Sequence, residues 1–151
     1  MPVMFASILV GTDGSDTATT AVRYAIDLAR ELGAQLHIVS AYEPVSDQRL
    51  RKERVELPED LQWMINPRED VLAMLEQARQ EAAGAGVAEV ETFARQGDAA
   101  DAILDVAEEQ RSDLIVVGNR GMTGAKRFLL GSVPNKVSHH APCSVLIVRT
   151  T

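Results

Sequence analysis

The stretch "DLIVVGNRGMTGAKRFLLGS", Asp113–Ser132, joins a continuously apolar run to a glycine-rich loop. The apolar run ends at Gly118, and the fourteen positions from Gly118 to Gly131 hold four glycines, three cations and no acid. A short apolar run that closes at a glycine is typical of a strand buried on both faces of a parallel sheet. A glycine loop at the carboxyl end of such a strand predicts an α/β fold with a ligand site at that loop.

Outward from this stretch, apolar runs alternate with helical patterns through nearly the whole chain. The runs predict five strands, at Phe5–Val10, Ala34–Tyr42, Ala88–Arg95, Asp113–Gly118 and Ser144–Arg149. Helices are predicted between them: one capped by Ser15 or Asp16 and ended by Gly33, then Pro67–Ala83, Asp98–Gln110 and Val133–His140. The first helix should turn one face inward, formed by Ala18, Ala21, Val22, Ala25, Leu28, Ala29 and Leu32. This alternation predicts a parallel sheet covered by helices on both faces.

Strand composition predicts which strands form the edges of the sheet. "EVETFAR" alternates polar and apolar residues, which suits an exposed edge. "SVLIVR" is too apolar for a bare edge, because an uncovered apolar strand invites aggregation. We therefore predict a homodimer that forms through the last strand, at about residues 144–149.

Length and composition predict one domain with one insert. The 151 residues, 46% of them hydrophobic, suit a single compact domain over residues 1–151. Residues 43–66 interrupt the alternation, and ten of the eighteen residues from Glu43 to Asp60 are charged. This insert is either a solvated, mobile segment or a flap over a ligand or a subunit contact.

The charge distribution limits the classes of partner. The net charge of −7 argues against a nucleic-acid surface or an acidic membrane as partner. Residues 1–113 hold 10 cations and 22 acids, whereas residues 114–151 hold five cations and no acid. A single cysteine, the lack of a cationic leader and the lack of an apolar run long enough to span a bilayer predict a cytoplasmic protein.

Two loops should meet where the strand order of a doubly wound sheet reverses. The first, "GTDGSD" at Gly11–Asp16, lacks the G-x-G-x-x-G spacing of dinucleotide sites. Its acids Asp13 and Asp16 would repel a phosphate from the helix N-terminus, so they suit either helix capping or a ribose or adenine amino group.

The second loop is the opening stretch, which has the opposite character. Its glycines allow main-chain N–H groups to approach a ligand, and Ser132 adds a hydroxyl at the start of the last helix. Arg120, Lys126 and Arg127 add positive charge. The loop fits a phosphate cradle, although it is not a Walker A loop because no G-x-x-x-x-G-K-[ST] run exists.

The spacing Gly118-x-x-Gly121-x₉-Gly131-Ser132, together with "ILVGTDGSD" and "GSVPNKVSHHAPCSVLIVR", resembles the ATP-binding members of the universal stress protein family. The resemblance implies a single-domain Rossmann-like fold of the adenine nucleotide alpha hydrolase type. Its five-stranded sheet should have the order 3-2-1-4-5, with residues 43–66 as a variable insert. It also implies a dimer through the last strand and an adenine nucleotide between the loops after strands one and four.

The resemblance further implies roles for individual residues. Thr12 and Asp13 would line the adenosine side, and Ser40 or Ala41 would meet the adenine through main-chain groups. The remaining contacts would come from the glycine loop: Gly118, Asn119, Arg120 and Gly121 at the ribose and first phosphates, and Gly131, Ser132 and Val133 at the outer phosphates. The ligand implied is ATP, alone or with Mg²⁺.

Pro134 departs from the pattern of many nucleotide-binding members, because it has neither a hydroxyl nor a backbone N–H. "GSVPNKVS" resembles a branch of the family for which cyclic AMP binding is described. A proline is also well tolerated in the first turn of a helix, so its role could be capping alone. Cyclic AMP or AMP is therefore the alternative ligand.

No catalytic set or metal site is predicted. His37 stands alone in a strand and suits packing, while the adjacent His139 and His140 cannot face one metal. Cys143 suits a small buried residue rather than a nucleophile. We therefore expect an ATP-binding regulatory protein of stress physiology. The alternatives are a cyclic AMP sensor or sink, a weak ATPase, and an interaction protein that binds no nucleotide.

Overall fold

The computed structural model describes residues 5–42, 68–119 and 130–150. Five strands and four helices alternate along these residues. The strands are β1 (Ser7–Gly11), β2 (Gln35–Tyr42), β3 (Val90–Gln96), β4 (Leu114–Gly118) and β5 (Ser144–Val148). The helices are α1 (Asp16–Leu32), α2 (Arg68–Gly84), α3 (Ala99–Glu109) and α4 (Ser132–His140).

The strands form one parallel sheet of order β3-β2-β1-β4-β5, as the family resemblance implies. β1 lies in the centre and pairs with both β2 and β4. Its residues Ile8, Leu9 and Val10 are fully buried, because helices cover both faces of the sheet there. The strand order reverses at β1, so the chain leaves β1 and β4 in opposite directions across the sheet.

Helix ends are set by local chemistry that the sequence predicted. The Ser15 hydroxyl caps α1 by accepting the N–H of Ala18, and Gly33 ends α1 in the left-handed conformation at φ 65°. The Asp98 carboxylate caps α3 by accepting the N–H of Asp101. Asp16, the other predicted cap of α1, is its first helical residue instead.

Two cores form, one on each face of the sheet. Helices α1 and α2 pack on one face, where Ile26 and Leu75 are among the buried residues. Helices α3 and α4 pack on the other face, where Ile103 and Val137 are buried. Among the described residues, no helix is long and apolar enough to cross a membrane.

The prediction of which α1 residues face inward is confirmed in the middle of the helix and wrong at its end. Ala21, Val22, Ala25 and Ala29 are buried, as is Ile26, which the pattern had omitted. Leu32 is 36% exposed, because it lies in the last turn, where the chain leaves the helix before β2. The insert at 43–66 lies outside the described residues.

Candidate functional site

A cleft opens at the carboxyl ends of β1, β2 and β4, where the strand order reverses. It encloses about 540 Å³, a volume that includes the part open to solvent. The lining residues are Gly11, Thr12, Asp13, Ser15, Thr17, Ala18, Val39, Ser40, Ala41, Ala99, Ala102, Ile103, Val117, Gly118, Val133 and Pro134.

The floor of the cleft depends on Gly11, the last residue of β1. A Cβ placed on Gly11 would collide with Cδ1 of Ile103, the α3 side chain that packs against it. Glycine therefore allows α3 to approach the end of β1 closely. This close approach brings the start of α3 to one side of the cleft.

One wall of the cleft is polar and comes from the segment between β1 and α1. The Thr12 Oγ1 accepts the N–H of Gly14 at 3.1 Å, and the Asp13 Oδ1 accepts the N–H of Ser15 at 2.8 Å. The Ser15 and Thr17 hydroxyls lie 3.2 Å apart. These contacts hold three hydroxyls and one carboxylate in fixed positions along the wall.

The opposite wall is apolar and comes from the first turns of two helices. Ala99, Ala102 and Ile103 of α3 form one part of it, and Val133 and Pro134 of α4 form the other. Pro134 is buried in the first turn of α4, a position where its missing N–H is tolerated. A flat apolar group, such as a purine ring, suits this wall.

The third side of the cleft is the end of β2, which extends beyond β1. The ladder with β1 ends at Gly11–Val39, whereas the ladder with β3 continues to Tyr42–Gln96. Alternate residues of β2 direct their main-chain groups to opposite neighbours, since the N–H of Gln35 bonds to Ala6 and that of Leu36 to Glu89. The N–H and C=O of Ala41 therefore face the cleft side, past the last β1 partner.

Ser40 lies beside Ala41 and is 3% exposed. Its hydroxyl has no hydrogen-bond partner among the residues that the structure describes. A buried hydroxyl without a partner is costly, so a bound molecule or water near the end of β2 would stabilise it.

The predicted site residues fall into three groups. Six of them line the cleft: Thr12, Asp13, Ser40, Ala41, Gly118 and Val133. Asn119, Gly131 and Ser132 are not part of the lining, although each is within two residues of Gly118 or Val133 in sequence. The N–H of Gly131 donates to the carbonyl of Asn119 at 3.0 Å. Arg120 and Gly121 lie outside the described residues, as do Lys126 and Arg127.

Charged groups also bridge the helices that form the apolar wall. The Lys136 Nζ of α4 lies 2.7 Å from the Asp101 carboxylate and 3.5 Å from that of Asp98, at the start of α3. The hydrogen bond to Asp101, above all, raises the pKa of Lys136. Lys136 therefore stays charged at neutral pH and partly offsets the acids near the cleft.

Comparison with known proteins shows what this architecture is. The family model for the universal stress protein family matches residues 4–149. This chain belongs to the universal stress protein family. A universal stress protein of Bacillus subtilis is 40% identical over 149 residues, covering 97% of this chain and 100% of the relative. A universal stress protein of Mycobacterium tuberculosis is 37% identical over 147 residues, covering 97% and 98%.

A solved universal stress protein in complex with cAMP has the same fold. It is 34% identical to this chain, with a TM-score of 0.74, and the alignment covers 98% of this chain and 99% of that one. The family model and this alignment thus each span nearly all of the chain.

Several lining residues of this universal stress protein were missed in the sequence. The hydroxyl of Thr17 and the small side chains of Ala18, Ala99 and Ala102 all lie within the first turns of helices that follow strands. A signal for them existed, because the first turn of each such helix lies beside the carboxyl edge of the sheet. No group of three His, Cys, Asp or Glu side chains suited to a metal occurs within 5–42, 68–119 and 130–150.

Proposed function

We propose that this universal stress protein binds an adenine nucleotide in the cleft and acts as a regulatory or signalling module in stress physiology. The observation that carries the proposal is the arrangement of the cleft, in which a wall of hydroxyls and a carboxylate faces an apolar wall. A nucleoside has the same two sides, namely a sugar with hydroxyl groups and a flat apolar base.

The geometry suggests how the nucleoside would lie. The base would contact Ala102 and Ile103 and reach the main-chain groups of Ala41 with its edge. The ribose hydroxyls would donate to the Asp13 carboxylate, whose Oδ1 already accepts the N–H of Ser15. The phosphate would then point toward the start of α4, where the helix dipole favours an anion.

Cyclic AMP is the nucleotide that the described side of the cleft favours. The start of α4 has few free donors, because the N–H of Gly131 is bonded to Asn119 and Pro134 has none. Ser132 and Val133 remain, which suits a single phosphate better than three. The relative in complex with cAMP supports the same ligand.

ATP, alone or with Mg²⁺, is the second candidate. It is favoured by the sequence between Gly118 and Gly131, which holds three cations and no acid. We expect at most slow ATP hydrolysis, which would follow from binding of the nucleotide and access of water to it. The single cysteine supports a cytoplasmic location.

We also propose that the protein forms a homodimer through β5. This strand is an edge of the sheet, and its Leu146 and Ile147 are 37% and 38% exposed. A second copy that pairs there would cover both side chains and the unpaired edge.

Calorimetric titration with cyclic AMP, AMP and ATP tests the nucleotide proposal. We expect wild-type protein to bind cyclic AMP more tightly than ATP. The variant Ala18→Leu places a larger side chain in the cleft and should weaken binding of every nucleotide by at least tenfold, the effect of losing about 1.4 kcal/mol. The matched control is Ala73→Leu, at an exposed position of α2 outside the cleft, which should bind as wild type does.

The outcomes separate the alternatives. Tighter binding of ATP than of cyclic AMP would favour the second candidate. Binding of neither nucleotide by wild-type protein, or equal affinities for Ala18→Leu and Ala73→Leu, would contradict the site.

A further inference from the structure

Asn119 joins three parts of the molecule at one point. Its N–H donates to the carbonyl of Val148 in β5, and its own carbonyl accepts the N–H of Gly131, the N-cap of α4. Its side-chain Oδ1 accepts both the N–H of Thr150 at 2.8 Å and the Oγ1 of Thr150 at 2.9 Å. The end of β4, the start of α4 and the end of β5 are therefore held together by one residue.

The Oδ1 of Asn119 is thus engaged away from the cleft. Asn119 and Thr150 are both absent from the cleft lining, although the neighbouring Gly118 belongs to it. A carbonyl oxygen has two lone pairs, and the two donors of Thr150 use both of them. The part-buried position of these bonds makes them more costly to lose than bonds on an open surface.

The hydrogen bonds that hold Asn119 in position also hold two neighbouring residues that the nucleotide would approach. Gly118 precedes it directly and lines the cleft, and Gly131 begins the helix whose N-terminus would face the phosphate. A change at Asn119 would shift both, because each is one covalent or hydrogen-bonded step from Asn119. A change at Thr150 would reach them through Asn119. Misplacing donors by a fraction of an ångström weakens hydrogen bonds to a ligand.

We infer that Asn119 is a positioning residue of the nucleotide site and that it acts through Thr150 rather than by contacting the ligand. The inference rests on the proposed function, since it assumes that a nucleotide occupies the cleft. It differs from the role that the family resemblance implied for Asn119, which was direct contact with the ribose or first phosphates. Nucleotide affinity thereby depends on the end of β5, a segment outside the cleft.

Titration of cyclic AMP against four variants tests the inference, at a temperature well below every melting temperature of the set. Thr150→Val removes the hydroxyl and keeps the shape, and should weaken binding by up to about fivefold, the limit if the whole free energy of the lost hydrogen bond is transmitted to the site. Thr150→Ser keeps the hydroxyl and should bind as wild type does. Asn119→Ala should weaken binding further, and the double variant Asn119→Ala/Thr150→Val should be no weaker than Asn119→Ala alone.

Each result has one meaning. If Thr150→Val binds cyclic AMP as tightly as wild type, or if the two single effects multiply in the double variant, the inference is wrong. If Asn119→Ala binds cyclic AMP weakly while Thr150→Val binds it as wild type does, Asn119 contacts the ligand directly. A wild-type protein that binds no adenine nucleotide would contradict the proposed function, and with it any positioning role.

Discussion

At the scale of single residues, His37 shows how a polar group is accommodated in the core. It is 4% exposed, and its ring meets the ring of Phe93 edge-on, with the two centroids 5.7 Å apart. Its Nδ1 has no hydrogen-bond partner among the described residues. Burial lowers the pKa of His37, because the buried imidazolium would lose its hydration. The negative charges of Glu91 in β3 and of Glu89 just before β3 oppose this shift in part.

The lowered pKa predicts that the protein loses stability in mild acid. In the unfolded chain, His37 gains a proton near its ordinary pKa of about 6.5, whereas in the folded protein it does so only at lower pH. Above that range both states are neutral, so the free energy of unfolding is unaffected by this group. As the pH falls below the ordinary pKa, His37 gains a proton in the unfolded state first. The free energy of unfolding then falls by up to about 1.4 kcal/mol per pH unit until the pKa of the folded state is reached.

Denaturant unfolding between pH 8 and pH 5 measures this effect, with His37→Gln as the test variant and His139→Gln, at an exposed position of α4, as the control. We expect the difference in stability between wild type and His37→Gln to change as the pH falls, because only wild type loses the His37 contribution. The His139→Gln variant should follow wild type. A constant difference between wild type and His37→Gln over the whole range would refute the burial argument.

At the scale of elements, we expect the number of free N–H donors in the first turn of α4 to affect the relative affinities for ATP and cyclic AMP. Pro134→Ala would add one N–H at a position where three successive free donors could then face a phosphate. We expect the affinity for ATP to rise about fivefold relative to that for cyclic AMP, the worth of one added hydrogen bond. Pro142→Ala, at an exposed position between α4 and β5, is the control and should keep the wild-type ratio. Titration of both nucleotides measures the ratio, and an unchanged ratio in Pro134→Ala would mean that its role is only to start the helix.

The elements themselves were largely predictable because their signals are local. Strands predicted at Ala34–Tyr42 and Asp113–Gly118 occur at Gln35–Tyr42 and Leu114–Gly118, and the caps at Ser15, Gly33 and Asp98 are confirmed. The first strand begins two residues later than the apolar pattern suggests, at Ser7.

The cleft was only half predictable, because its walls come from elements far apart in sequence. The polar wall lies in one continuous segment, where the loop sequence itself indicated Asp13 and the family resemblance implied Thr12. The apolar wall depends on how closely α3 approaches β1, which is set by the contact between Gly11 and Ile103. The hydrogen bond between the Asn119 and Thr150 side chains joins positions 31 residues apart, so no local sequence pattern could predict it.

At the scale of the whole molecule, the two edges of the sheet differ in the way the sequence predicted. β3 forms one edge, and its Glu91 and Gln96 are exposed, so polar groups discourage pairing there. β5 forms the other edge and exposes Leu146 and Ile147 instead. An exposed apolar edge strand is a hazard for an isolated subunit, and this contrast is the basis for the proposed dimer.

Sedimentation of wild type and two lysine variants tests the dimer. Ile147→Lys places a charge on the apolar edge strand, a device by which natural proteins prevent strand pairing, and should give a monomer. The control is Leu72→Lys on α2, where the leucine is 40% exposed against 38% for Ile147, so a similar apolar area is lost away from β5. We expect Leu72→Lys and wild type to sediment as dimers at micromolar concentration. If Ile147→Lys remains a dimer, the interface lies elsewhere; if wild type is a monomer, the exposed leucine and isoleucine of β5 serve another contact.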